Sequence, residues 1–425
     1  MRHGRVPSLA GVFGAALVAG FACASRASDA TRDTVQVAPS SPDSLLGSRR
    51  IAALPESRRQ AWMRYLDTSR VLRALDRDSM ARELRVVGRE RPTRAPYLRA
   101  TFLETVKGIS GDRARQVADI VLSFQTPSGG WSKHVDMTRR PRQTGESYYS
   151  ESDGWHYIAT IDNGATTGQM RFLSTVIDGA GQSPHRAGFL RGLEYLRRAQ
   201  FPNGCWPQVY PLEGGYHDAA TFNDDATVNV LRVLRDVSWG RMAWVPEADR
   251  QRATQMLDRG IECILESQVI VNGKRTAWGQ QHDPLTLTPV GARSYEPLSL
   301  SGRESAGIAE LLMTLRSPNE TVVTAVHAVV DWFRETAVRG YEYDFERGLT
   351  VKAGAGPLWA RMYEIGTNRP IFSNRDGVIR YDWNELTDRR TGYAWFGEEP
   401  KAVLERYERW SRTHPRPGSS DQERQ

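Results

Sequence analysis

Apolar residues recur along most of the chain at the i, i+3, i+4, i+7 spacing that gives a helix one buried face. Such faces run through Ala114, Val117, Ala118, Val121 and Leu122, then Met170, Phe172, Leu173, Val176 and Ile177, then Phe189, Leu190, Leu193, Leu196 and Ala199. Others follow at Val230, Leu231, Leu234 and Val237, at Met256, Leu257, Ile261, Ile264 and Leu265, at Ile308, Leu311, Leu312 and Leu315, and at Val322, Val326, Val329, Val330 and Phe333. No stretch alternates as persistently with period two, so the fold is expected to be mainly α. Residues 340–400 read as long loop with a few short strands. Ser110 stands where it would cap the first of these helices, and Thr166 and Thr167 stand ahead of the second.

An internal repeat gives the helices an architecture. Gln125-Thr-Pro-Ser-Gly129-Gly-Trp131 and Gln200-Phe-Pro-Asn-Gly204-Cys-Trp206 share Gln-x-Pro-x-Gly-x-Trp, and a looser copy runs from Gln268 through Gly273 to Trp278. Each copy closes an amphipathic helix. Pro and Gly stop the helix, the Gln side chain is expected to bond the exposed last-turn carbonyls, and the Trp to pack over them. Helical hairpins that cannot bury their own apolar faces stack or close into a ring. The expectation is an α/α toroid, an incomplete α/α barrel of hairpins, with these turns at one rim.

The chain start bears on compartment. Arg2, His3 and Arg5 precede an apolar run from Leu9 to Ala22, and Ala22-Cys23-Ala24 supplies small residues for cleavage. This pattern predicts a signal peptide at 1–24 and a secreted or periplasmic protein, with lipid attachment at Cys23 as a minor alternative. Residues 25–50, rich in Ser, Asp, Arg, Thr and Pro, read as a disordered linker. A catalytic domain is expected over 51–412, with 51–100 as its N-terminal helical part, and a disordered tail over 413–425. No later stretch is apolar enough to span a bilayer. Only Cys205 and Cys263 remain after cleavage, so at most one intrachain disulfide can form.

The net charge of +7 is spread along the chain and accompanies no nucleic-acid motif, so the expected partner is a polyanionic substrate rather than DNA or RNA. Twelve Trp and fifteen Tyr could also support sugar rings, although most such aromatics pack cores. Acidic residues follow the rim. Asp162-Asn163 precedes the Met170 helix, Asn223-Asp224-Asp225 follows Trp206, and Glu296 follows Trp278 at the same spacing as Asp224 follows Trp206. Each acid could be a simple helix cap. Repeated acid–amide doublets around one opening would instead suit a hard, oxygen-ligated cation such as calcium.

At these residues the chain resembles the family 10 pectate lyases among the polysaccharide lyases. The matching segments are Gln125 to Trp131 with Lys133, Thr160-Ile-Asp-Asn-Gly-Ala-Thr166, Gln200 to Tyr210, Tyr216-His217, Thr221 to Ala226, Trp278 to Asp283, Ala292 to Glu296, Ser299 to Gly302, Glu304-Ser305, Leu358 to Glu364 and Arg375 to Gly377. They cover roughly residues 100–400, with departures at Ser132 and His134. The resemblance implies a monomeric toroid that cleaves polygalacturonate (pectate) by calcium-assisted β-elimination, with an arginine as base. By position that base is Arg293. Asp162 and Asp224, with Asp225 in reserve, are implied for calcium or its substrate-bridged form. Arg361, Arg375, Lys133 and Asn163 are implied for substrate binding, the arginines through bidentate carboxylate contacts.

Ordinary physical chemistry resists one of these roles. Arginine stays protonated to a pKa above ~12, and without the resemblance Arg293 would read as a substrate clamp or an ion-pair partner of Glu296. Rival classes are a non-catalytic acidic-polysaccharide-binding protein and a glycoside hydrolase on the same toroid, which would use Glu296 and Asp224 as its acid and base. Terpenoid cyclases also share such turns, but their acidic motifs are missing here.

Overall fold

The computed structural model describes residues 45–150, 158–177 and 183–418. The leader expected at 1–24, most of the linker expected at 25–50 and the end of the tail expected at 413–425 lie outside the described residues.

The described helices are α1 (Ser48–Ala52), α2 (Glu56–Val87), α3 (Phe102–Thr105), α4 (Gly111–Ser123), α5 (Thr167–Val176), α6 (Pro184–Ala199), α7 (Ala226–Ser238), α8 (Glu247–Ser267), α9 (Gly302–Leu312), α10 (Glu320–Thr336) and α11 (Glu399–Trp410). Helices α5, α7 and α9 pack side by side as an inner row, while α4, α6, α8 and α10 each precede an inner helix or loop from the outside. The inner helices are buried around nearly their whole circumference, as α9 shows from Gly302 to Leu312. The outer helices keep a polar face in water, and α8 exposes several of its Arg, Asp and Glu residues. This is an α/α toroid left open rather than closed into a barrel. Strands are short, and the longest ladder pairs Tyr341–Asp344 with Gly348–Val351. Among the described residues, no helix is long and apolar enough to cross a membrane.

The repeated turns join neighbouring hairpins, with roles that differ from the sequence expectation. The indole N–H, not the Gln amide, satisfies a last-turn carbonyl: Trp131 donates to Val121 O at 2.8 Å, Trp206 to Leu196 O at 2.8 Å and Trp278 to Ile264 O at 2.7 Å. The Gln amides instead bridge their own turn to the next outer helix. Gln125 donates to Gly129 O and Gly188 O, Gln200 to Gly204 O and Met256 O, and Gln268 to Thr276 O and Ala325 O. At φ +92°, Gly204 comes so close that a Cβ would lie 2.1 Å from the Arg259 carbonyl oxygen. Only glycine fits both that backbone conformation and that approach. Behind the second turn, Cys205 and Cys263 form a disulfide to α8.

The expected caps behave differently. Ser110 occupies the N-cap position of α4, yet its side chain accepts no capping bond. Order also starts earlier and ends later than composition suggested. Leu45 is buried, and Arg50 pairs with Asp283 at 2.7 Å inside the stretch read as linker. In the stretch read as tail, His414 stacks on Trp410 at 4.4 Å and its carbonyl bonds His327 of α10. A few apolar, aromatic and charged contacts are enough to hold segments whose average composition is polar.

Helix α2 lies across the first two turns. Tyr65 donates to Ala199 O, Ser69 accepts from Leu212 N–H, and Asp76 accepts from Ser128 N–H at 2.7 Å. Asp76 is fully buried, and its second oxygen has no hydrogen-bond partner. Burial pushes its pKa up to about 7 against the Ser128 bonds. The folded state therefore holds a proton that the unfolded chain releases near ~4. The stabilising contribution is complete below that unfolded value and is lost as pH rises to about 7. Asp76→Asn should raise the melting temperature at pH 8 by an amount equivalent to a few kcal/mol, with no gain at pH 4. Thermal melts at the two pH values check this, and a gain independent of pH would overturn it.

Candidate active site

Two segments preceding inner helices follow the same backbone path. Asp162–Gly164 and Asn223–Asp225 each form a single 3-10 turn, with left-handed residues at Asn163 (φ 50°) and Gly164 in one and at Asp224 (φ 50°) and Asp225 in the other. Asn and Asp tolerate this region better than other side chains do. The equivalence pairs Asp162 with Asn223 and Asn163 with Asp224, so acid and amide alternate between loops. Hydroxyls fasten both paths, Thr166 donating to Thr160 O at 2.8 Å and Thr227 to Thr221 O at 2.5 Å. Thr166, expected as a cap, instead accepts from Trp131 N–H at 3.0 Å, and Ser305 takes the same role at Trp278. Its φ of 58° and ψ of −58° are costly for a β-branched residue, and that hydroxyl anchorage holds it there.

The alternation interlaces the carboxylates. Asn223 Nδ2 donates to Asp224 Oδ2 at 2.9 Å and reaches Asp162 Oδ1 at 3.5 Å, while Asn163 Nδ2 reaches Asp224 Oδ2 at 3.5 Å. Lys133 Nζ meets Asp162 Oδ2 at 2.7 Å. Arg361 donates from one nitrogen to Glu304 Oε1 at 2.8 Å, Asn223 Oδ1 at 3.0 Å and Asp224 Oδ1 at 3.1 Å, and Arg303 adds a contact to Asp224 at 3.4 Å. Burial works to raise the Asp224 pKa, but Arg361, Arg303 and Lys133 together hold it below the usual carboxylate value. Burial likewise disfavours charge on Arg361, and Glu304, Tyr393 and Asp224 more than reverse that effect.

A second cluster adjoins the first through Tyr393. Its hydroxyl donates to Glu296 Oε1 at 2.9 Å, and Arg361 lies 5.0 Å above its ring. Glu296 holds Arg293 in a bidentate pair, through Nε at 2.6 Å and through Nη2. Arg293 also lies 4.8 Å from the centroid of the Tyr295 ring. Burial pushes the Arg293 pKa down, yet the bond and charge of Glu296 outweigh it and leave the guanidinium more firmly protonated than usual. Burial works to raise the Glu296 pKa, and Arg293 holds it low instead. The cations around Glu296 and Asp224 thus favour their ionised forms, the opposite of what the proton donor of a glycoside hydrolase requires. Tyr216 and His217 stack at 3.9 Å within electrostatic reach of both Lys133 and Arg293. Burial and Lys133 take the His217 pKa down to about 4, so its ring is neutral in working conditions.

The structure brings together Lys133, Asp162, Asn163, Asp224 and Arg361, with Arg293 in the adjoining cluster. Two expected residues stand apart. Asp225 turns its carboxylate against α9, where a Cβ on Gly307 would lie 2.0 Å from Oδ1, and burial raises its pKa to about 6. A one-residue step through left-handed backbone is what separates it from Asp224. Arg375 is exposed and paired loosely with Asp388 at 3.8 Å. The third acid on Asp224 is Glu304, not Glu296. Equal spacing from the Trp misplaced it. No spacing marks Glu304, which lies one residue before Ser305, whereas Asp162 lies four before Thr166.

Because Glu304 and Arg361 are both buried, removing Arg361 leaves the Glu304 carboxylate without its counter-charge. Arg361→Ala should cost roughly 3–5 kcal/mol, and pairing Arg361→Met with Glu304→Gln should recover much of it. Urea denaturation reads both, and a single-variant loss below about 1 kcal/mol would mean that the pair is not structural.

The sequence profile of the family described as pectic acid lyase matches residues 125–404. A solved family 10 polysaccharide lyase from Cellvibrio cellulosa is 34% identical, covering 73% of this chain and 95% of that one with a TM-score of 0.64. An aspartate-to-alanine mutant of a family 10 polysaccharide lyase from Cellvibrio cellulosa, in complex with trigalacturonic acid, matches at 34% identity, 72% and 95% coverage and a TM-score of 0.64. No curated protein matches the chain. With the toroid, the interlaced rim loops and these likenesses together, the chain belongs to the pectic acid lyase family and is a polysaccharide lyase.

Proposed function

We propose that this lyase cleaves α-1,4-polygalacturonate by calcium-assisted β-elimination with Arg293 as the base. Arg293 takes the C5 proton of a uronate, the electron pair becomes the C4–C5 double bond, and the C4–O4 bond breaks. The departing O4 leaves with a proton from solvent, and the new end is a 4,5-unsaturated uronide. The trigalacturonic acid in the Cellvibrio complex supports a polyuronate substrate. The observation that carries the reading is the continuity from Asp162 and Asp224 through Arg361 and Tyr393 to Arg293.

The donor chemistry fits calcium. Asp162 and Asp224 would supply carboxylate oxygens, donors that suit a hard cation, while Asn163 and Asn223 hold those carboxylates through their amide nitrogens. Among the described residues no group of three or more acidic, His or Cys side chains converges to hold a metal. Bound calcium would draw charge from a uronate carboxylate and make the neighbouring C5–H more acidic. Asp225, packed on Gly307, would serve at most as a reserve ligand. Lys133 and Asn163, with Arg375 at the exposed edge, would orient the uronide chain. Arg361 would act mainly by fixing Asp224 and Asn223, since its guanidinium is buried and one nitrogen already bonds both. The Cys205–Cys263 disulfide supports export to an oxidising compartment, in keeping with the expected leader.

Ultraviolet absorbance of unsaturated products tests the chemistry. Polygalacturonate with calcium should give a steady rise, abolished by a chelator and restored by added calcium. Arg293→Ala should lower kcat by at least about 10³-fold at unchanged fold. A chelator-insensitive rate would overturn the calcium role, and an active Arg293→Ala would overturn the base.

Glu296 keeps Arg293 protonated, so only a small fraction is available as base at neutral pH. The rate, kcat/KM, should climb about tenfold per pH unit on the alkaline side. Glu296→Gln should move that climb to lower pH, because it removes the charge that raises the Arg293 pKa. A pH–rate profile with an unshifted limb in this variant would exclude Arg293 as the titrating group.

A further inference from the structure

The end of the toroid away from the rim carries a concentration of positive charge that the catalytic scheme does not use. Helices α5, α7 and α9 begin at the segments of Asp162, Asp224 and Glu304 and run side by side away from them. Thirteen residues of α7, at about 1.5 Å each, set its last turn roughly 20 Å from Asp224. There the half-buried Trp239 carries three guanidiniums, Arg316 at 4.3 Å from the ring centroid, Arg235 at 5.2 Å and Arg241 at 5.3 Å. Asp236 pairs with Arg171 at 3.1 Å, Arg235 at 3.2 Å and Arg241 at 2.8 Å, and Arg232 pairs with Glu310 at 3.6 Å.

Among the described residues, five guanidiniums thus meet two carboxylates. Cations near a helix C-terminus complement its dipole, which accounts for Arg235 and Arg241 at the end of α7. It does not account for Arg171, which comes from the middle of α5, or for Arg316, which follows α9. Burial pushes the Arg171 pKa down, and the charges of Arg232 and Arg235 push it the same way against Asp236. The cluster therefore repels itself. Arg316 is exposed and rests on Trp239, and no described carboxylate pairs with it. An indole face holds a cation in place without neutralising it. Such a surface attracts polyanions, and one that binds relieves the repulsion. The exposed large apolar side chains among the described residues all lie elsewhere, so the cluster offers a lipid surface nothing to insert.

We propose that the arginines around Trp239 form a second, non-catalytic binding site, which holds a further stretch of polyuronate through its carboxylates while the rim acts on another. The proposal rests on the polyuronate lyase reading above. Guanidiniums suit carboxylates through charge-assisted, forked contacts. A long polymer, or a neighbouring chain of the same material, reaches this site while the rim is occupied, and anchorage there raises the effective concentration of polymer at the rim. An oligosaccharide held at the rim gains nothing from it.

The test compares Arg316→Glu with Arg64→Glu, which makes the same change of charge at an exposed position on α2. On long polygalacturonate at low salt, Arg316→Glu should fall about 3–10-fold below Arg64→Glu in kcat/KM, and on trigalacturonate the two should match. The difference should fade in about 0.5 M salt. Equal losses in the two variants on the polymer, or a loss as large on trigalacturonate, would overturn the proposal. If Arg316→Glu melts below wild type, Arg241→Gln decides by the same dependence on chain length. Retardation in gels containing polygalacturonate, against gels containing dextran, needs no turnover. Weaker retardation of Arg316→Glu than of Arg64→Glu would support the site even if the wild type made no unsaturated product, a result that refutes the lyase reading alone, and equal retardation would refute the site. Sedimentation with phosphatidylglycerol vesicles that Arg316→Glu abolishes, at unchanged gel retardation, would assign the cluster to lipid and overturn the proposal.

Discussion

At each of the three repeated turns, one side-chain amide ties a hairpin to the next. The Gln at the end of an outer helix bonds a carbonyl of its own turn and a carbonyl in the middle of the following outer helix, and this arrangement recurs at Gln125, Gln200 and Gln268. Because these are buried backbone acceptors, leaving one unmet would cost about 1–3 kcal/mol. The tie therefore sets the angle between neighbours as well as their adjacency. The segments that lead to Asp162, Asp224 and Glu304 begin immediately after these turns. Their convergence follows from the way the turns are stacked, and the chemistry at the rim inherits its geometry from a contact that never touches substrate.

Much of this was legible in the chain. Helical periodicity located the inner and outer helices, and the Gln-x-Pro-x-Gly-x-Trp repeat identified the rim and the toroid. Roles inside the repeat were harder to read, since Gln and Trp both carry donors and nothing in spacing says which carbonyl each will reach. The same limit applied to the acids. Asp224 and Asp225 are neighbours in sequence, yet left-handed backbone sends one into the cluster and the other against Gly307. Glu304 lies within a helix, where an acid in the first turn ordinarily reads as helix-dipole complementation. Only the third dimension shows it sharing Arg361 with Asp224. Conversely, the plain reading of Arg293 and Glu296 as an ion pair describes the free protein, while the resemblance adds a role that the same pair opposes.

That opposition has a physical sense. A permanently neutral guanidine beside the buried Glu296 would leave the carboxylate uncompensated, so the free enzyme is stable with the arginine charged. On the proposed mechanism, substrate and cation would bring further charges to the site, and the balance between Glu296 and those newcomers would decide the proton on Arg293. The neighbouring tyrosines matter in that balance. Tyr295 and Tyr393 give the cationic side chains polarizable faces without adding formal negative charge.

The disulfide between Cys205 and Cys263 lies in the seam where Gly204 meets Arg259 and Gln200 meets α8. It duplicates in covalent form a junction that hydrogen bonds already make, directly behind the loop of Asp224. While the chain remains among cytoplasmic reductants, that junction depends on hydrogen bonds and packing alone. On the proposed export route, the second hairpin would gain its covalent clamp only after the polypeptide has left those reductants, so maturation of the rim would follow the chain's change of compartment.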